Sequence, residues 1–210
     1  MAQVVPTVTA YTTDDLQQQF ALITSTAATR LHLDVTDDVF ASPRTVQPDQ
    51  LWAPEGFYID IHLMYQMITP VVHDVLLLAP DMVTVHAEAA DVHDAITAFH
   101  AAGVKVCLAL LQQTSVKEVE PLVEFCDGIL IFSGSLGRFG GAADLLLLEK
   151  VMSLRRLKPT LEIGWDGGIN ETNARQLVVS GVDILNVGGA IHHADDPKLA
   201  YAELSRLTHA

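Results

Sequence analysis

Short apolar segments alternate with helix-type segments along the whole chain, and this alternation constrains the fold more than any other feature. Strands are predicted over residues 4–11, 30–35, 57–62, 82–86, 104–110, 128–132, 160–165 and 183–187. Helices are predicted over 16–26, 69–78, 91–102, 115–125, 142–157, 171–180 and 197–207, with a loop over 37–50. Most strands are almost continuously apolar, as in a parallel sheet covered on both faces. The pattern favours an α/β fold with one (β/α)8 TIM barrel domain over residues 1–210, rather than an open doubly wound sheet.

The composition argues against nucleic acid and membrane partners. The chain carries 26 acidic and 12 basic residues, a formal charge of -14, and no run of Lys or Arg offers a patch for phosphate backbones or anionic lipids. The first residues do not resemble a signal peptide and no stretch is long enough to span a bilayer, so a cytoplasmic location is expected. Cys107 and Cys126 lie in apolar stretches without metal-type spacing, which predicts buried free thiols and a reducing compartment.

Ligand-type side chains stand at the ends of three predicted strands. His32 and Asp34 are two residues apart and point to the same side of their strand, while His62 and Asp166 end two other strands. In a barrel of this kind, the loops after the strands build the active face. Two imidazoles and two carboxylates suit one divalent ion, Zn, Fe, Mn or Co. A lone His-x-Asp pair is more often only a hydrogen-bonded pair, and the convergence of all four residues is what favours a metal site.

Glycine pairs follow the last three predicted strands and suggest a phosphate site. They are Gly140-Gly141, Gly167-Gly168 and Gly188-Gly189. Barrels often hold a phosphate with backbone N–H groups after their last two strands, although a single glycine pair also suits an ordinary turn. His86, which ends the fourth strand, has either a pocket-lining or a structural role. The other histidines lie on predicted helices or loops and are expected in solvent: His73, His93, His100, His192, His193 and His209.

Several of these segments together resemble the ribulose-phosphate 3-epimerase family over nearly the whole chain. In the family's order and spacing they are Leu31-His32-Leu33-Asp34-Val35, Ile61-His62-Leu63-Met64, Thr84-Val85-His86-Ala87-Glu88-Ala89, Phe139-Gly140-Gly141 and Asp166-Gly167-Gly168-Ile169-Asn170. The resemblance implies a barrel of the ribulose-phosphate binding type. It implies that His32, Asp34, His62 and Asp166 bind the metal and that Asp34 and Asp166 form the acid/base pair. It also implies that His62, Phe139, Asp166 and the six paired glycines contact the substrate or its phosphate.

The activity that the resemblance implies is inversion of C3 of a ketose phosphate, from ribulose 5-phosphate to xylulose 5-phosphate. A proton leaves C3 to give an enediolate, and a proton then returns to the opposite face. Two carboxyl groups are needed on opposite sides of the carbon, and a divalent ion stabilises the charge that develops on the C2 and C3 oxygens.

Four departures from the family pattern surround these residues. Thr7 stands where the family usually has Ser after Pro, so a substrate hydroxyl contact is retained through Thr7. Thr36-Asp37-Asp38 replaces Met-Asp-Gly, which removes a methionine that would shield the intermediate. Arg138 replaces Gly before the Phe-Gly-Gly segment, where it either contacts the phosphate or faces solvent. Gly189 replaces Ser and loses one hydroxyl donor.

Three hypotheses for function follow from the sequence. The first is an epimerase acting on ribulose 5-phosphate or, in a close variant, on a six-carbon ketose phosphate such as allulose 6-phosphate. The second is a non-catalytic barrel that binds a sugar phosphate or a metal. The third is a decarboxylase of the orotidine-phosphate type, which is disfavoured because Asp34-Val35-Thr36 and Asp60-Ile61-His62 lack the Lys of its Asp-x-Lys motif. Members of the family often form dimers or larger assemblies, so a homo-oligomer is expected.

Overall fold

A computed structural model describes residues 2–208, and within them eight parallel strands form a closed barrel in sequence order. The strands are β1 Gln3–Val8, β2 Arg30–Thr36, β3 Tyr58–Met64, β4 Met82–His86, β5 Lys105–Leu110, β6 Gly128–Phe132, β7 Glu162–Asp166 and β8 Ile184–Val187. β1 pairs with both β2 and β8, so the sheet closes on itself. The predicted (β/α)8 TIM barrel is confirmed. Met1, His209 and Ala210 lie outside the described residues.

The helices pack around the barrel, and local sequence signals explain several of their starts. They are α1 Thr13–Thr24, α2 Val72–Leu77, α3 Val92–Ala101, α4 Val116–Val123, α5 Leu148–Leu157, α6 Ala174–Val179, α7 Gly189–His192 and α8 Pro197–Leu207. Ser115 and Glu118 form a reciprocal capping box at the start of α4. Asp196 caps α8, where Pro197 occupies the first turn without losing a helical hydrogen bond.

Several predicted boundaries are wrong by three residues or more, and hydrogen bonds to side chains explain two of them. β1 is predicted to reach residue 11 but ends at Val8, because the backbone of Thr9 bonds the side chain of Gln19 instead of a strand. The helix predicted from residue 142 begins only at Leu148. Before it, the backbone N–H of Asp144 donates to Ser133 Oγ over 2.7 Å, which holds this segment in the loop after β6.

The barrel interior is closed at its N-terminal end and leaves its C-terminal end for a site. Arg30, at the start of β2, pairs with Asp60 at 2.8 Å and with Glu162 at 2.9 Å. Above this ionic plug, an apolar layer fills the interior with Met82, Cys107, Ala109 and Leu130. The larger apolar cluster lies outside the sheet, between the strands and the helices. Polar side chains in the upper part of the barrel therefore face a space that the core does not fill.

Both cysteines are buried and free of disulfide bonds, as predicted. Burial is the main cause that raises the pKa of Cys126 to about 12, so this thiol stays protonated at neutral pH. Among residues 2–208, no helix is both long and apolar enough to cross a lipid bilayer.

Candidate functional site

The four predicted ligands meet at the C-terminal end of the barrel. In the parallel register, Asp34 on β2 lies beside His62 on β3, while Asp166 ends β7 across the barrel. One nitrogen or oxygen atom from each of His32, Asp34, His62 and Asp166 lies within 4.8 Å of the others. Asp34 Oδ1 is 3.0 Å from His62 Nδ1 and 3.6 Å from His32 Nε2, and Asp166 Oδ2 is 3.8 Å from both nitrogens.

This geometry fits a divalent ion. A tetrahedral ion with ligand distances of about 2.1 Å separates its ligand atoms by roughly 3.4 Å, within the range of the distances above. His32 Nε2 and Asp166 Oδ2 are buried and have no hydrogen-bond partner among the described residues. Buried polar atoms without partners are costly unless an ion or water satisfies them. The two atoms are therefore suited to bind a cation together.

A hydrogen bond behind His62 is compatible with ion binding. His62 Nε2 lies 2.9 Å from His86 Nε2. If His62 Nδ1 binds a cation, its Nε2–H donates to His86. His86 Nδ1 lies 3.4 Å from Glu88 Oε2, and neither atom has a hydrogen-bond partner among residues 2–208. His86 is fully buried, so of its two predicted roles the structure favours the structural one.

His32 is supported from behind in a similar way. Its Nδ1 lies 3.3 Å from the side-chain amide of Asn186 and 4.0 Å from Asp60 Oδ2. Burial lowers the pKa of His32, but Asp60, Asp34 and Asp166 together outweigh burial and raise it. The net charge around this imidazole is negative, which also favours a bound cation.

The pKa values of the two carboxyl groups are shifted in opposite directions. Burial, followed by repulsion from Asp34, raises the pKa of Asp166 to about 7. Burial also raises the pKa of Asp34, but the hydrogen bond and electrostatic attraction from His62, the attraction from His32 and the hydrogen bond from Thr9 together outweigh burial and lower it. His62 is neutral because burial lowers its pKa to about 4. A neutral imidazole beside one ionised and one protonable carboxyl group is suited to ion binding and to proton transfer.

A cavity of about 260 Å³ opens beside these carboxyl groups. Its wall contains Asp34, Asp166, Thr7, Arg138, Phe139 and the three glycine pairs, so these predicted substrate residues lie around one space. His62, which is also predicted to touch substrate, is fully buried beneath the cavity and does not form part of its wall. Arg138 is exposed at the rim, where both of its predicted roles are sterically possible.

Close backbone approaches explain two of the glycines in this wall. Gly167 has a φ of +104°, and a Cβ there would lie 2.1 Å from the backbone nitrogen of Gly134 in the loop after β6. At Gly188, a Cβ would lie 2.4 Å from Phe139 Cδ1. The loops after β6, β7 and β8 can therefore pack together only with glycine at these positions.

Sequence reasoning missed several residues around the cavity. His192 is predicted in solvent but is half-buried, because its ring stacks on Phe139 with centroids 4.9 Å apart and its Nε2 lies 2.8 Å from Thr7 O. His193 is exposed, as predicted, yet it lines the cavity. The hydroxyl of Thr9 bonds Asp34. A period of two from Thr7 is the only sequence signal that would have indicated Thr9.

Comparisons with known proteins agree with this geometry. The model of the ribulose-phosphate 3 epimerase family matches residues 3–192. The chain is 33% identical to ribulose-phosphate 3-epimerase of Rhodospirillum rubrum over 186 residues, which cover 85% of this chain and 82% of the relative. It is 26% identical to the enzyme of that name from Schizosaccharomyces pombe over 204 residues, covering 94% and 90% of the two chains.

Solved structures with low sequence identity show the same fold. 3-Hexulose-6-phosphate synthase from Salmonella typhimurium aligns with a TM-score of 0.69 and 14% identity, covering 99% of this chain and 98% of that chain. Orotidine 5'-phosphate decarboxylase from Pyrococcus horikoshii aligns with a TM-score of 0.68 and 14% identity, covering 99% and 100%. At such identity these likenesses concern the barrel and do not bear on activity.

Proposed function

This chain belongs to the ribulose-phosphate 3-epimerase family, and on that premise we propose that it is a metal-dependent epimerase that converts ribulose 5-phosphate to xylulose 5-phosphate. The observation that carries the proposal is the convergence of two imidazoles and two carboxyl groups beside a glycine-walled cavity. Neither feature alone would indicate an epimerase. Their adjacency places a cation site next to a space suited to a phosphorylated sugar.

We assign ion binding to His32, Asp34, His62 and Asp166, the residues whose donor atoms lie together. A divalent ion of Zn, Fe, Mn or Co, when bound, polarises the oxygens on C2 and C3 as a Lewis acid. His62 is neutral at physiological pH, so its ring can donate a lone pair without first losing a proton. The buried Asp34 and Asp166 supply the negative charge that compensates the cation.

The same two carboxyl groups are assigned as the acid/base pair. Both form part of the cavity wall, and before an ion binds Asp34 is ionised while Asp166 is protonable near neutral pH. They come from β2 and β7, which are separated by β1 and β8 around the closed sheet, so the two side chains enter the site from different directions. One carboxylate removes the proton from C3 to give the enediolate, and the other carboxyl group returns a proton to the opposite face. The proton count is restored when the two groups exchange protons with solvent.

Substrate binding is assigned to the rest of the cavity wall. Thr7 Oγ1 is buried with no hydrogen-bond partner in residues 2–208, so it is available for a substrate hydroxyl. Gly140, Gly141, Gly167, Gly168, Gly188 and Gly189 are assigned to the phosphate. Their backbone can approach an anion closely, and oriented N–H groups bind it without fixed charge. Arg138 at the rim adds one positive charge, and Phe139 closes the wall beside it.

Thr36 stands where the family usually has Met, and this departure does not weaken the proposal. Thr36 Oγ1 donates to Pro43 O, and this side chain does not form part of the cavity wall. Phe132 and Ile169 provide apolar surface in the wall instead. A shielded space for the intermediate is therefore retained, which favours an enzyme over a barrel that only binds ligands. We also propose that residues 1–210 form a single domain and that the protein is cytoplasmic, as the sequence predicts, and that it is a homo-oligomer, as the family resemblance implies.

Metal content and turnover of the purified protein test the proposal. Conversion of ribulose 5-phosphate to xylulose 5-phosphate, and incorporation of solvent deuterium at C3, are measured before and after chelation. Allulose 6-phosphate in parallel tests the six-carbon variant. We expect Asp34→Asn and Asp166→Asn each to lower kcat by about 10²–10⁴-fold while the far-UV circular dichroism is unchanged. The matched control Asp14→Asn, exposed on α1, keeps full activity. Near-normal turnover in either site variant would refute the assigned roles.

A further inference from the structure

Thr9 contacts one of the two acid/base carboxylates from a position just beyond β1. Its buried hydroxyl donates to Asp34 Oδ2 over 2.8 Å. The other carboxylate oxygen, Oδ1, lies 3.0 Å from His62 Nδ1 and 3.6 Å from His32 Nε2. The two oxygens of Asp34 therefore have different surroundings: one faces the ligand cluster and the other faces a hydroxyl group.

Gln19 on α1 fixes the backbone of Thr9. The β1–β2 register ends at Val8, so the strand ladder does not hold Thr9. Gln19 Oε1 accepts from the Thr9 N–H over 3.1 Å, and Gln19 Nε2 donates to Thr9 O over 3.0 Å. Gln19 is buried, and its Nε2 also donates to Asp15 Oδ1. Burying an amide is costly unless it is hydrogen-bonded. The two hydrogen bonds to the backbone of Thr9 therefore explain why α1 has a polar residue on its buried face.

We infer that Thr9, held by Gln19, is a positioning residue that determines which oxygen of Asp34 binds the ion. A carboxylate can bind a cation through one oxygen or through both, and a hydroxyl that donates to one oxygen favours binding through the other. Asp34 therefore presents Oδ1 to the cation. Oδ2 is kept for proton exchange with the substrate carbon, and this part of the inference rests on the proposed epimerase function.

Two variants of Thr9 and one control separate the effect of the Thr9 hydroxyl from the effect of its side-chain volume. Thr9→Val keeps the shape and removes the donor, while Thr9→Ser keeps the donor and removes a methyl group. Thr208→Val is the matched control, because Thr208 is a buried threonine at the end of α8 whose hydroxyl donates to Ser205 O, outside the assigned site. Each protein is freed of metal and titrated with Co²⁺ without substrate, and its Co²⁺ affinity and visible absorption spectrum are recorded. Steady-state kcat and KM for ribulose 5-phosphate are measured on the Co²⁺ forms.

We expect Thr9→Val to weaken Co²⁺ binding by about tenfold or more and to change the absorption spectrum. In the same variant, kcat falls by roughly 10–100-fold and KM changes much less. Thr9→Ser restores Co²⁺ affinity, spectrum and kcat to near the wild-type values, and Thr208→Val leaves all of them unchanged. If Thr9→Val does not fold, Thr9→Ala replaces it with the same expected results.

Unchanged Co²⁺ affinity and spectrum in Thr9→Val would overturn the inference, and so would failure of Thr9→Ser to restore them. The metal titration does not depend on turnover. A wild-type protein that binds Co²⁺ but does not epimerise any ketose phosphate would refute the proposed function, and the titration would still decide the role of Thr9.

Discussion

Ion binding should release a proton from Asp166. The pKa of this carboxyl group is raised to about 7, mainly by burial and then by Asp34. A cation binds the carboxylate only after the proton has left, so proton and cation compete. His62 releases no proton above about pH 5, because its pKa is lowered to about 4. Apparent affinity should therefore rise with pH up to about 7 and level off above it.

The size of this effect follows from the pKa. Asp166 with a pKa of about 7 is roughly nine-tenths protonated at pH 6 and one-tenth protonated at pH 8. Protons compete less with the ion as the pH rises. Between about pH 5 and pH 7 the apparent ion affinity should therefore increase by about 50-fold, which equals about 2.3 kcal/mol. A carboxyl group with an ordinary pKa would change ion affinity by only about 6% over the same range. His32, whose pKa is also raised, adds to the rise in ion affinity.

Calorimetric titration with Co²⁺ in pairs of buffers with different ionisation enthalpies counts the protons released. Wild type should release about one more proton per ion than Asp166→Asn at about pH 6, and the difference should nearly vanish at pH 8. Because Asp166 is one of the charges that raise the pKa of His32, the comparison counts the proton of Asp166 together with its effect on His32. Equal proton release at pH 6 would refute the raised pKa of Asp166, its role as a ligand, or both.

The other predictions concern packing, the ionic plug and the ion. Gly188→Ala should lower the free energy of unfolding in urea by about 1–3 kcal/mol, because its methyl group meets the ring of Phe139. Adding Phe139→Ala should recover part of the loss caused by Gly188→Ala, and simple additivity would contradict this. Arg30→Met should lower the free energy of unfolding in urea by about 3–5 kcal/mol, because Asp60 stays buried without its partner. An unchanged urea midpoint would show that the ion pair is dispensable. After a chelator has removed bound metal, Zn²⁺ at a hundred times its Kd should raise the free energy of unfolding by about 2.7 kcal/mol. An unchanged Tm would exclude binding to the folded state.

The barrel and its four candidate ligands can be predicted from the sequence because their signals are local. Apolar strands separated by helices indicate a parallel sheet, and a period of two places His32 and Asp34 on one side of β2. His62 and Asp166 end other strands, and parallel strands bring their ends to one rim. For the same reason, the glycine pairs after the last strands could be assigned to the cavity wall.

Residues whose positions depend on loop packing could not be predicted in this way. His192 lies beneath Phe139 because the loop after β6 folds over α7, and no local pattern encodes that contact. Thr9 reaches Asp34 because Gln19, on a different element, holds its backbone beyond the end of β1. The false helix start at residue 142 has the same origin, since Ser133 holds Asp144 in the loop.

The central claim is that His32, Asp34, His62 and Asp166 bind one divalent cation together. Anomalous diffraction from crystals grown with Co²⁺ tests it most directly. We expect one strong peak per chain, about 2.0–2.2 Å from His32 Nε2, Asp34 Oδ1, His62 Nδ1 and Asp166 Oδ2. A fully loaded protein whose peak lies elsewhere, or whose ion contacts only one or two of these side chains, would contradict the account.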